Sequence, residues 1–236
     1  MHSHSAAWAL VTRLGEAQIL LPAMAAALLW LARTPRTRPL ALAWAAATAG
    51  AALITTLTKM AFIGWEVGYA PLDYTGISGH SMFAAAVLPV LARIAAGRAA
   101  APWPRLAIAL AYLLAAAITL SRVETGAHSV FEAVLGFALG GAAAALALRG
   151  THAPRAPTPG WLAAAVLAWL LLLPLGAPPS RTHQWVTLLS LQASGRSVPY
   201  TRRAMHHQAL LDSVSGQRQR DIGGARPAAE MQGEPV

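Results

Sequence analysis

Polar residues in this chain gather into short clusters separated by long apolar runs, with little alternation inside a run. A helix that crosses a membrane needs roughly 17–25 mostly apolar residues. Six runs approach that length: residues 17–32, 40–58, 81–96, 106–120, 130–148 and 161–177. The pattern predicts six transmembrane helices, with the first, third and fourth short. Alanine, only weakly apolar, carries many of these runs, so the prediction rests on length and absence of charge as much as on hydropathy. The expected division is a membrane domain over residues 1–177 and a basic polar tail over 178–236. From Ser213 the tail is rich in Gly, Gln and Arg, and disorder is expected for most of it. Residues 182–191 fit either a helix lying on the membrane or a loop.

Composition agrees with a lipid-solvated chain, since apolar residues make up 56% of it and mean hydropathy is +0.48. Basic residues outnumber acidic ones 18 to 9. The excess lies between the runs and in the tail, without interleaved aromatics, which argues against a nucleic-acid partner. The absence of cysteine excludes a thiolate metal site and a cysteine nucleophile.

Arginine placement sets the expected orientation. Arg33, Arg36 and Arg38 follow the first run; Arg93, Arg98 and Arg105 surround the third-to-fourth connection; Arg149 and Arg155 follow the fifth run. These loops should face the cytoplasm, leaving residues 59–80, residues 121–128 and the amino terminus on the other side. The first run is expected to be a retained helix, because its basic residues follow the apolar stretch instead of preceding it. Gly136 and Gly140 form a small-residue ridge on the fifth run, which is either a helix contact or a coincidence of composition. Trp30, Trp44, Trp65, Trp103 and Trp161 fall near run ends or within a run, and interfacial anchoring accounts for most of them.

Three polar clusters carry candidate chemistry. His128 and Glu132 share one helical face if the fifth helix starts near Ala127, so the carboxylate can accept from one imidazole nitrogen and leave the other free to attack. The same pair is also open to reading as two buried groups satisfying each other, or as part of a metal site. Arg122 and Lys59 each fit an interfacial anchor or a phosphate ligand. Ser78-Gly79-His80 opens the third run, where free backbone N–H groups and a glycine can receive an anion and an imidazole can protonate a leaving oxygen; a simple helix cap is the alternative. What favours a single site is that the arginine-derived orientation puts all seven residues on one side of one membrane.

These clusters resemble the signature of the phosphatidic acid phosphatase type 2 superfamily: Lys, six residues, Arg-Pro; then Pro-Ser-Gly-His; then Ser-Arg, five residues, His, three residues, Asp. The third part is matched by Ser121-Arg122, His128 and Glu132, and the second by Ile77-Ser78-Gly79-His80. In the first part Lys59 is present, but Glu66-Val67 stands where the superfamily has Arg-Pro. The resemblance implies an all-α, polytopic six-helix membrane bundle of the phosphatidic acid phosphatase type 2 and haloperoxidase type. It implies catalysis by His128 as nucleophile, Glu132 as its orienting partner and His80 as proton donor, with Lys59, Ser78, Gly79 and Arg122 binding phosphate. No metal and no cofactor are implied. The expected substrate is a phosphate or pyrophosphate monoester of an isoprenoid or glycerolipid, and the expected location is a bacterial inner membrane with the site on the periplasmic or outer face. Because Glu66 replaces an arginine, a catalytically silent member that binds or moves anionic lipid, or scaffolds membrane proteins, is the competing expectation.

Overall fold

In the computed structural model, residues 2–97, 100, 102–149, 164–170, 172 and 181–224 are described. The described chain is helical, as expected: α1 (His2–Arg13), α2 (Ala17–Ala32), α3 (Arg38–Trp65), α4 (Gly79–Ala95), α5 (Trp103–Glu124), α6 (Val130–Leu148), α7 (Thr182–Ser194) and α8 (Arg202–Gly224). Proline in the first turn of α3 and of α5 fits their starts, where a missing N–H costs no intrahelical bond. Among the described residues, four helical stretches are long and apolar enough to cross a membrane: Ala7–Ala32, Arg38–Trp65, Trp103–Glu124 and Val130–Leu148. The sixth expected run lies largely outside the described residues. Its portion 164–170 is helical, and Trp169 Nε1 donates to the Ile19 carbonyl at 2.9 Å.

The third expected run, α4, is shorter than these four stretches and is the hub of the bundle. It packs against α2, α3, α5 and α6, and Ser81, Met82 and every residue from Ala84 to Leu91 are buried. A helix surrounded by protein needs no lipid-matched length, which explains why small residues suffice there. Gly136 and Gly140 are the contact surface of α6 on α4: a Cβ on Gly136 would meet the Ser78 carbonyl, and one on Gly140 the Met82 carbonyl. The small-residue ridge is therefore a real backbone-to-backbone approach. Trp44 departs from the interfacial expectation. It is fully buried in α3 and donates Nε1 to the Ala86 carbonyl of α4 at 3.0 Å.

Helices α3 and α5 end, and α2, α4 and α6 begin, at one end of the bundle. Gly15 there is pressed against Ile118 and His80, with no space for a Cβ. The tail differs from the disorder expected of it, because α7 and α8 dock on this same end. Gly64 leaves room for the α7 backbone at Ser190. Tyr200 donates its backbone N–H to Ile63 O at 3.0 Å and packs on Phe62 with ring centroids 5.3 Å apart, and Met205 closes the cluster beside Phe62 and Gly68. A handful of apolar anchors is enough to dock the segment, and too few to lift its hydropathy.

Candidate functional site

The connection from α3 to α4 folds back across the bundle end. Tyr69 and Tyr74 exchange backbone hydrogen bonds of 3.0 Å around the turn Ala70–Leu72, and Asp73 follows in the left-handed region at φ 50°. Gly76, at φ 130°, crosses directly over Lys59, so that a Cβ would lie 2.9 Å from the lysine Cγ. Ile77 N–H then donates to Thr58 Oγ1 at 3.2 Å, and Ser78 N–H to the Glu132 carbonyl at 3.1 Å. These two bonds fix the start of α4 between α3 and α6. Ser78 is fully buried, accepts from Ser81 Oγ at 3.1 Å, and leads into the Gly79, His80 and Ser81 N–H groups of the first helical turn, which have no intrahelical acceptor.

Between α5 and α6 a turn at Gly126, φ 65°, brings the Ala127 and His128 N–H groups back onto the Arg122 carbonyl, each at 3.1 Å. Ser129 caps α6 reciprocally with Glu132. His128 Nδ1 lies 2.6 Å from Glu132 Oε2, which fixes the Nδ1–H tautomer and leaves Nε2 as the free acceptor. Glu132 has no solvent exposure, yet its carboxylate is fully used. Oε1 accepts from Thr75 N–H at 2.5 Å and Thr75 Oγ1 at 2.6 Å; Oε2 accepts from His128, from Ser129 N–H at 3.2 Å and from Arg202 Nη2 at 2.8 Å. Burial pushes the His128 pKa below its ordinary value of 6.5, against the pull of the Glu132 hydrogen bond, so the ring is neutral at neutral pH.

The seven residues singled out in the sequence come together. Arg122, Lys59 and His128 all lie within electrostatic range of His80, Lys59 lies within range of Arg122 and Glu132, and Gly79 lies against Thr55, one turn before Lys59. Arg122 Nη1 donates to Thr12 Oγ1 at 2.7 Å, while its Nε is buried with no hydrogen-bond partner. A buried donor left open beside a lysine and a helix N-terminus is suited to an anion. Glu66 does not join this group. It caps α3 in the left-handed conformation and pairs with Arg196 at 2.6 Å, both side chains 38% exposed. Among the described residues no three His, Asp or Glu side chains cluster as metal ligands would.

Sequence reasoning missed Thr75 and Arg202. Arg202 reaches Glu132 from 70 residues away, and no spacing rule connects the two. Ser129 was missed as well, although the Ser-x-x-Glu spacing of a capping box would have signalled it.

Residues 58–156 match the PAP2 superfamily, a stretch that contains all three clusters. The chain is also 32% identical over 209 residues to a Klebsiella pneumoniae protein described as "Uncharacterized 22.5 kDa protein in cps region", an alignment covering 86% of this chain and 99% of that one. No solved structure matches the chain.

Proposed function

The chain belongs to the PAP2 superfamily, and we propose that it is a metal-independent membrane phosphatase acting on a phosphate or pyrophosphate monoester of an isoprenoid or glycerolipid. The observation that carries this reading is the buried Glu132 carboxylate bonded to His128 Nδ1 at 2.6 Å beside the open donor of Arg122. In the first step His128 Nε2 attacks phosphorus, the bond from phosphorus to the leaving oxygen breaks, and His80 gives that oxygen its proton. In the second, water attacks the phosphohistidine, His80 takes its proton, and inorganic phosphate leaves. Lys59, Arg122, the Ser78 hydroxyl and the N–H groups from Gly79 onward hold the three equatorial oxygens, supplying the positive charge that a metal supplies elsewhere. The arginine-bearing loops at the other end of the bundle support an outer, periplasmic site.

A silent, lipid-binding member was suggested by the acid that replaces an arginine at position 66; Glu66 pairs with Arg196 instead of facing the phosphate-binding groups, which supports the enzyme reading although the arginine is absent. Purified protein should release phosphate from such lipids in the presence of chelator, and His128→Ala should abolish release. Release that survives this substitution would remove the mechanism, and loss of release in chelator would point to a metal enzyme.

A further inference from the structure

Glu132 is a fully buried carboxylate whose partner in the resting site is a neutral imidazole, so its charge needs a cation in contact. Of its five hydrogen-bond donors, four are uncharged: the His128 ring, the Ser129 N–H and the two groups of Thr75. The fifth is Arg202, from the carboxy-terminal segment. We infer that Arg202 is a positioning residue for the Glu132–His128 pair, a role that rests on the phosphatase reading.

The guanidinium is used as a fork. Nη2 donates to Glu132 Oε2 at 2.8 Å and to Thr75 Oγ1 at 3.1 Å; Nη1 donates to the Asp73 carbonyl at 3.0 Å and to Asp73 Oδ2. Asp73 Oδ1 is held in turn by His206 Nε2 at 2.6 Å, one turn further along α8. Two side chains on one face of α8 thus grip Asp73, and only the arginine extends past it to the buried carboxylate. Both terminal nitrogens are committed to protein oxygens, so Arg202 is not offered to phosphate and does not stand in for the arginine missing at position 66. It acts on Oε2, the same oxygen that His128 uses, with two consequences. The fork fixes the direction from which Oε2 meets the ring, and its charge offsets that of the carboxylate, which keeps Glu132 ionised without making His128 strongly basic.

The test uses full-length protein in nanodiscs with Arg202→Gln and Arg202→Lys. Removing the partners that orient metal-bound histidines costs roughly 10- to 100-fold, and by that analogy Arg202→Gln should lower kcat by a similar factor. KM and the affinity for orthovanadate, a probe of the phosphate-binding groups, should stay within about twofold. Arg202→Lys should fall between, because it restores the charge without the fork. The His128 ring, followed by NMR of histidine-labelled protein and assigned with His128→Asn, should titrate about one unit higher in Arg202→Gln, since a positive charge near it has gone. The other charged or titratable groups facing that ring, Lys59 on α3, His80 on α4, Arg122 on α5 and Glu132 on α6, are unchanged in these variants. An unchanged kcat overturns the inference, and so does vanadate affinity falling as far as kcat, which would make Arg202 a phosphate ligand. Should the parent protein release no phosphate from any lipid, the phosphatase reading fails; the His128 titration then decides this inference, and an unmoved midpoint overturns it. If Arg202→Gln does not fold, Arg202→Met, which also removes the charge, carries the same measurements with the same expected outcomes.

Discussion

Replacing Glu132 by glutamine keeps the side chain's shape and removes its charge, and the hydrogen bonds around it dictate the outcome. Oε2 faces three donors and Oε1 two, both of the latter from Thr75. The glutamine amide nitrogen must therefore turn toward Thr75, where the hydroxyl can rotate to accept but the backbone N–H, 2.5 Å away, cannot. One buried donor is left unpaired, which costs about 1–3 kcal/mol of stability. The remaining carbonyl still holds the Nδ1–H of His128, but it no longer stabilises positive charge on the ring as phosphorus is attacked. Neutralising the carboxylate of a comparable His–Asp pair costs about 10⁴-fold, and with the tautomer here preserved we expect about 10²- to 10⁴-fold in kcat, or roughly 3–5 kcal/mol of barrier. Steady-state phosphate release from a lipid phosphate in micelles, with chelator present, gives kcat and KM separately, and thermal unfolding in the same detergent gives the stability change. A kcat within threefold of the parent, in protein that is destabilised as expected, would refute the view that the charge of Glu132 acts through His128.

Other expectations follow from the same geometry. Gly140→Ala drives a methyl into the Met82 carbonyl and should cost about 1–3 kcal/mol, lowering Tm in detergent. Gly141→Ala, whose Cβ would sit an ordinary 3.8 Å from Tyr112, should be nearly silent; equal Tm losses would deny the close α4–α6 approach. Since burial lowers the His128 pKa, its neutral, attacking form persists as pH falls below 6.5. The acid limb of kcat/KM should accordingly lie below that value, and a midpoint at 6.5 or above would contradict it. Glu66→Ala breaks an exposed ion pair with Arg196, worth at most about 1 kcal/mol. Phosphate release should change less than twofold, whereas a large gain would mean that position 66 does face phosphate.

The bundle was legible because its signal is coarse: a run of apolar residues needs only length to announce a span. Lys59, Ser78, His80, Arg122, His128 and Glu132 were legible because each is a polar residue near the end of an oily run, where the chain otherwise avoids polarity, and Gly79 because it lies between two of them. What escaped was contact between distant segments. Gly136 and Gly140 showed a small-residue ridge but not that α4 fills it, and Trp44 showed an indole but not the Ala86 carbonyl that draws it inside. A helix over residues 182–191 was one of two open readings, but the docking of the carboxy-terminal segment escaped because it depends on Tyr200, Arg202 and Met205 meeting Ile63, Asp73, Glu132 and Gly68, pairings that local periodicity does not encode.

The reach of Arg202 to Glu132 also fixes an order in biosynthesis. A ribosome translating this chain adds Glu132 at a point 70 residues before Arg202, and over that interval the nascent chain carries the carboxylate without the guanidinium. A fragment released early in that interval would keep the membrane helices and lack this partner. The last of the Glu132 contacts to form is thus the one that waits for the carboxy-terminal segment.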